Sequence, residues 1–105
     1  MGIRKIKPVI ENYLAKVGRK IKIKKAILYG SYASGKAKEF SDVDLLVISD
    51  DFSKMNDDER LKILYRLSVG FPYDLHVNGI TPQEYKNASL LTSLGVAIKT
   101  GIVVS

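Results

Sequence analysis

The sequence predicts an α/β (α+β) domain, a small mixed β-sheet of about four strands packed with helices. Three observations carry this reading. Helical spacing of apolar residues alternates along the chain with short apolar runs of strand length. The 105 residues hold one core, so residues 1–105 read as a single domain. No repeat, linker or low-complexity segment interrupts them.

The elements follow in order. Ile6, Ile10, Tyr13, Leu14 and Val17 recur at helical spacing. Pro8 fits the first turn of that helix, where a missing N–H costs little, and Gly18 fits its C-terminal stop. Residues 24–29 end in Ala26-Ile27-Leu28-Tyr29, a buried strand. Residues 30–41 are rich in small residues and read as a loop holding one helical turn. Asp42 to Ile48 read as a second strand, polar on one face at its start and buried further on.

Asn56, followed three residues later by Glu59, resembles a capping box, and Leu61, Leu64, Tyr65 and Leu67-Ser68 continue the helix behind it. Pro72 ends that region, and residues 73–77 read as a third strand. Thr81-Pro82-Gln83-Glu84 is a strong helix start, with an N-cap Thr, Pro at the first helical position and Glu two positions on. A short helix near residues 90–98 and a last strand at residues 102–104 complete the order α-β-β-α-β-α-β.

Composition narrows the class. No apolar run approaches the roughly 18 residues that span a membrane. The N-terminus lacks the apolar stretch and cleavage site of a signal peptide. There is no cysteine, which excludes disulfides and thiolate metal sites and suits a reducing, cytoplasmic setting. Charge is unevenly spread: residues 1–38 hold 11 of the 17 basic residues and one of the 11 acidic ones. A basic third beside an acidic remainder points to an anionic partner, or to a solvated Lys-rich surface.

Asp42 and Asp44 are the chemical centre of the sequence. Residues two apart on a strand share a face, with Cα atoms roughly 6.5–7 Å apart. Two carboxylates so placed among apolar neighbours repel each other and resist burial unless a cation sits between them. Hard divalent ions take such oxygen ligands, and Mg²⁺ commonly pairs one or two carboxylates with substrate phosphates. Alone, the pair reads more readily as a strand starting at the solvent edge. Gly30-Ser31, directly after a buried strand, adds the other half. Glycine lets backbone approach a ligand closely, and a helix start and a hydroxyl offer donors to phosphate. Ten residues separate this loop from the carboxylate pair.

Gly30-Ser31, that ten-residue gap and Asp42-Val43-Asp44 together resemble the signature of the DNA polymerase beta-like nucleotidyltransferase superfamily. The string GSYASGKAKEFSDVDLLV is similar to its minimal nucleotidyltransferase (MNT) branch. The resemblance implies the nucleotidyltransferase fold and a third carboxylate on a neighbouring strand, matched by Asp74. It implies that Asp42, Asp44 and Asp74 are the catalytic, metal-binding residues, close enough to share ions beside Ser31. It implies that Gly30 and Ser31 grip the nucleotide phosphates. The cofactors would be two Mg²⁺ ions and the substrate an NTP, ATP first. A nucleoside monophosphate would pass to an acceptor hydroxyl by in-line attack at the α-phosphorus.

The family's partner is a small helical HEPN-domain protein, and the pair can act as a toxin–antitoxin system in which the toxin is adenylylated. One departure stands out. Many relatives carry Arg between Gly-Ser and the second Gly of the loop, where this chain has Tyr32-Ala33-Ser34. A weakly active or inactive module that neutralises its partner is therefore the alternative function. A homodimer stays open. Nucleic acid is the disfavoured partner, because no RNP-like, helix-turn-helix or zinc pattern is present. His76, the single histidine, reads as a partly buried structural residue, with a place facing the site as the alternative. Tyr29, Tyr65 and Tyr73 read as core or rim.

Overall fold

The computed structural model describes residues 3–38, 41–88 and 93–105. Residues 39–40 of the expected loop, and the start of the helix expected near residues 90–98, lie outside the described residues. Helix α1 (Ile3–Gly18) is followed by β1 (Lys25–Tyr29), α2 (Gly30–Ser34) and β2 (Val43–Ile48). A 3-10 turn (Asp50–Lys54) leads into α3 (Asp57–Arg66) and β3 (Leu75–Ile80), and α4 (Pro82–Lys86), α5 (Ser93–Thr100) and β4 (Ile102–Val103) close the chain. The strands form one mixed sheet of four, as the sequence predicts, and their order is β3-β2-β1-β4. β1 runs antiparallel to β2 and β4, and β2 runs parallel to β3 across the α3 crossover.

Period two divides the sheet into two faces. Ala26 and Leu28, with Val43, Leu45, Val47 and Val77, face the main core, which also holds Ile6, Ile10, Tyr13, Leu14 and Val17 of α1. The α1 stripe is the one the helical spacing predicts, and all five residues are buried. Each such side chain contributes about 1.5–3 kcal/mol on leaving water. Across the core, the Tyr13 hydroxyl donates to the Leu64 carbonyl (2.6 Å), tying α1 to α3. The opposite face carries Ile27, Leu46, Ile48 and Ile80, against which Tyr29, Tyr85 and Ile98 pack. Further along that same face the residues become Asp44 and His76, level with Tyr29.

Both capping boxes form. Asn56 accepts from the Glu59 N–H while Glu59 accepts from the Asn56 N–H, and Thr81 and Glu84 repeat the arrangement. Pro8 departs from its expected place: α1 starts at Ile3, so Pro8 lies in the second turn. Arg4 and Pro8 are both exposed, so water can reach the carbonyl left without its helical donor. Strand β3 begins at Leu75 and runs to Ile80, later and longer than the segment 73–77 expected. Tyr73 instead joins an edge-to-face aromatic chain with Phe71 and Tyr13, ring centroids 6.3 and 5.8 Å apart.

The free edge of β3 is covered from α3. The Val77 N–H donates to the Tyr65 hydroxyl (3.2 Å), and Arg60 Nη1 donates to the Gly79 carbonyl (3.2 Å). Arg60 also donates to the carbonyls of Phe52 and Met55 and pairs with Glu84 at 2.7 Å. One guanidinium thus ties the 3-10 turn, β3 and α4 together, and occupies an edge open to strand pairing.

Candidate active site

The site is built where three chain segments reach the same end of the sheet. β1 ends at Tyr29, β2 opens at Val43 and β3 opens at Leu75. The parallel register sets Val43 against Leu75 and Asp44 against His76, and the Val43 N–H donates to the Asp74 carbonyl (2.8 Å). The antiparallel register sets Asp44 against Tyr29. Asp42 and Asp74 therefore each stand one residue before their strand, and Asp44, Tyr29 and His76 lie abreast on one face.

Gly30 follows Tyr29 immediately and opens α2 with φ +74, a left-handed value that favours glycine. A Cβ at that position would collide with Asp44 Oδ2 and stand 3.0 Å from its Cγ. The loop backbone is thus in direct contact with the carboxylate. Tyr29, the N-cap of α2, makes no side-chain cap to the first turn. The loop turns back at Ser31, whose carbonyl accepts from the N–H groups of Gly35 and Lys36 and from the Ser34 hydroxyl.

His76 sits between the two carboxylates. Its Nε2 is 3.3 Å from Asp42 Oδ2 and its Nδ1 is 3.9 Å from Asp44 Oδ1. The imidazole is 62% exposed, so the partly buried structural role expected for it does not hold. Asp42 is 42% exposed and Asp44 only 21%. Burial holds the Asp44 carboxyl above the usual carboxylate range, His76 opposes that rise, and the charge of Asp42 adds to it. Burial likewise raises the Tyr29 phenol, while a hydrogen bond from the Asn78 amide (3.5 Å) lowers it and the Asp44 charge raises it further.

Two carboxylates side by side on one strand face, one of them largely withdrawn from water, are a donor set suited to a hard divalent cation. The residues present fit such an ion on this chemistry. Asp74 is exposed at the same edge as Asp42. Among the described residues, no three His, Asp or Glu side chains gather round one point. His76 is the group in contact with the pair, and the sequence signal that could have found it is its position two residues after Asp74, on the same strand face. Lys36 and Lys38, the cations of the loop, are exposed, and Tyr32, first of the Tyr32-Ala33-Ser34 stretch, is buried in the main core.

Likeness to known proteins places this fold in a family. Residues 10–94 match the family model described as the nucleotidyltransferase domain. The chain belongs to that family. A relative from Methanocaldococcus jannaschii, "Putative protein adenylyltransferase", is 32% identical over 97 residues, covering 78% of this chain and 66% of its own length. The chain thus spans just under two thirds of that relative.

Among solved structures, "a putative nucleotidyltransferase from Sulfolobus solfataricus" superposes with a TM-score of 0.71 at 15% identity, covering 94% of this chain and 78% of that one. A structure described as "the toxin-antitoxin with AMP-PNP" superposes with a TM-score of 0.63 at 22% identity, covering 90% and 72%. At these identities the two structures establish the fold. Among the described residues, no helix is long and apolar enough to cross a membrane.

Proposed function

We propose that this chain transfers a nucleoside monophosphate, AMP from ATP first, to an acceptor hydroxyl on a partner protein. The contact between Gly30 and Asp44 carries this reading. It joins a phosphate-type loop to a metal-type carboxylate pair, although ten residues separate them in sequence. The adenylyltransferase name of the 32% identical relative supports AMP as the group moved. The toxin–antitoxin structure with AMP-PNP, which shares this fold, supports an adenine nucleotide as donor.

In this reading the Gly30-Ser31 backbone and the Ser31 hydroxyl hold the triphosphate. Asp42 and Asp44 would hold Mg²⁺, and Asp74, exposed at the same sheet edge but not gathered with them round one point, would help take the acceptor proton. Bound Mg²⁺ would supply charge neutralisation on the phosphates and a lowered pKa for the acceptor hydroxyl. Asp44, packed on the loop, fixes where the α-phosphate must lie relative to the carboxylates, so the chain's main contribution is positioning.

The acceptor comes from outside, with a small helical HEPN-type protein as the first candidate. The basic first third, with Arg4, Lys5, Lys7, Lys16, Arg19 and Lys20 exposed, offers an anionic partner a docking face.

A second reading has its own observation. Tyr32 turns into the core, so the loop presents no cation from that position, which favours a weakly active module that neutralises its partner by binding. Mass spectrometry separates the two. The chain and its co-purified partner are incubated with Mg²⁺ and each of the four NTPs in turn. Transfer predicts a nucleoside-monophosphate adduct on the partner, largest with ATP. A partner that stays bound and unmodified with every NTP refutes the enzyme and leaves the binding module.

A further inference from the structure

We infer that the groove between α1 and residues 67–72 is the docking site for an acidic amphipathic helix of the partner protein. The inference rests on the reading that a partner protein supplies the acceptor, and it says where that partner sits. The groove encloses about 430 Å³. Val9 and Ala15 from α1 face Leu67, Val69, Phe71 and Pro72 across it, which gives it an apolar lining. Val69 is 77% exposed, more than any other large apolar side chain among the described residues.

The wall that carries Val69 is already formed. The Phe71 N–H donates to the Ser68 carbonyl (2.9 Å), closing a tight turn around Val69 and Gly70, and Gly70 takes the positive φ, +88, that the third position of such a turn favours. The Lys16 ammonium donates to the Val69 carbonyl (3.4 Å), and the Tyr13 and Phe71 rings pack edge to face. The turn is thus fixed to α1. A partner that covers Val69 removes it from water without first ordering a loop.

Charge selects the partner. Lys16 and Arg19 line the groove, and exposed Lys5 extends the same helical face one turn before Val9. Among the described residues no carboxylate lines the groove, and the ion pairs leave Lys16 and Arg19 out. An apolar strip flanked by Asp and Glu complements this pattern. No strand residue lines the groove, so it offers an extended peptide no sheet edge, whereas a helix satisfies its own backbone and packs beside α1. Nucleic acid fits less well. Tyr13 is buried and Phe71 is held between Tyr13 and Tyr73, which leaves bases little to stack on.

The groove also lies where an acceptor is needed. Pro72 stands two residues before Asp74, whose carbonyl accepts from the Val43 N–H (2.8 Å) between Asp42 and Asp44 in sequence. One chain segment therefore joins the groove to the carboxylate end of the sheet.

The test uses the full chain and its co-purified partner. The chain has no cysteine, so Val69→Cys carries a benzophenone maleimide at one defined point. Irradiation is expected to cross-link it to a partner segment whose apolar residues recur at three- and four-residue spacing beside Asp or Glu, read by mass spectrometry. Val69→Asp, and Lys16→Glu with Arg19→Glu, are each expected to weaken partner binding by about tenfold or more in isothermal titration, while exposed Lys24→Glu changes it by less than about threefold. Thermal melts check that these substitutions leave the fold intact. Unchanged affinity in the groove variants, an equal loss in Lys24→Glu, cross-links to a segment without that pattern, or cross-links that nuclease removes would overturn the inference. Asp42→Asn with Asp44→Asn separates docking from transfer, because this variant should bind and cross-link as the wild type does. If the groove variants lose the partner but no partner is ever modified, the transfer reading fails and the docking site stands. If label is transferred while Val69→Asp binds normally, the docking site fails and the transfer reading stands.

Discussion

The Cα of Gly30 lies against the carboxylate of Asp44, so closely that a methyl group cannot be placed between them. Gly30 also holds a left-handed φ of +74. Gly30→Ala therefore meets both a strained backbone and a collision, and is expected to lose about 1–3 kcal/mol of stability. Nucleotidyl transfer should fall with it, because the loop and Asp44 must move apart to admit the methyl. Urea unfolding and the transfer assay measure the two effects. Wild-type transfer in Gly30→Ala would show that the contact has no role in the site.

Asp44 should cost the ion-free protein stability. Burial makes the folded state hold the Asp44 proton more tightly than the unfolded chain does. Between the ordinary carboxylate pKa and the raised folded one, the native state binds more protons, so stability falls as pH rises through that window and stays lower at neutral pH. Asp44→Asn, which carries no charge, is expected to melt a few degrees above wild type at pH 7 without divalent cations. The difference should close as the pH drops below the carboxylate range. Saturating Mg²⁺ should raise the wild-type melt and leave Asp44→Asn largely unmoved, since a ligand stabilises only the state that binds it. Differential scanning calorimetry at two pH values, with and without Mg²⁺, reads all three.

The Tyr32 hydroxyl is buried with no hydrogen-bond partner among the described residues. Removing a buried polar group that makes no bond relieves its desolvation cost. Tyr32→Phe is expected to be neutral or to stabilise the fold by up to about 1 kcal/mol. A loss beyond that size in urea unfolding would mean that the hydroxyl has a partner in solution.

Arg60 joins elements that are distant in sequence, and its side chain is largely buried. Arg60→Ala removes donors to three carbonyls and to Glu84 and uncovers the Phe52 ring, whose centroid lies 5.8 Å from the guanidinium carbon. The expected loss is about 2–3 kcal/mol. Glu84→Gln should cost less than about 1 kcal/mol, because Glu84 is half exposed and its pair is screened. Burial opposes ionisation of Glu84, but hydrogen bonds from Thr81 and Arg60 outweigh it and lower its pKa, so this small contribution fades as pH falls through the carboxylate range.

Much of the fold is written in local chemistry, which explains where the sequence can and cannot be read. The capping boxes at Asn56 and Thr81 need only residues three apart, and both form. The α1 stripe and the alternation in β2 are likewise local periods. Strand β3 is harder to read because Asn78-Gly79 are weak strand formers. They belong there for a tertiary reason: a Cβ at Gly79 would stand 2.6 Å from the Phe52 ring, so only glycine lets that ring close the core. Pro8 misleads for a similar reason, since the buried stripe of α1 extends the helix past a residue that locally marks its start.

The approach of Gly30 to Asp44 agrees with the spacing of the loop and the carboxylate pair in sequence. The position of His76 two residues after Asp74 hints at a shared face, but its contact with the pair is set by the parallel register of β2 and β3.

Whether Asp42 and Asp44 are needed to move a nucleotide decides the proposed function. The chain and its co-purified partner are incubated with Mg²⁺ and ATP labelled at the α-phosphate, alongside the Asp42→Asn, Asp44→Asn double variant. Protein-bound label in the wild type, with none in the double variant and partner binding unchanged, is the predicted result. Equal label in both, or none in either while the partner remains bound, would contradict it.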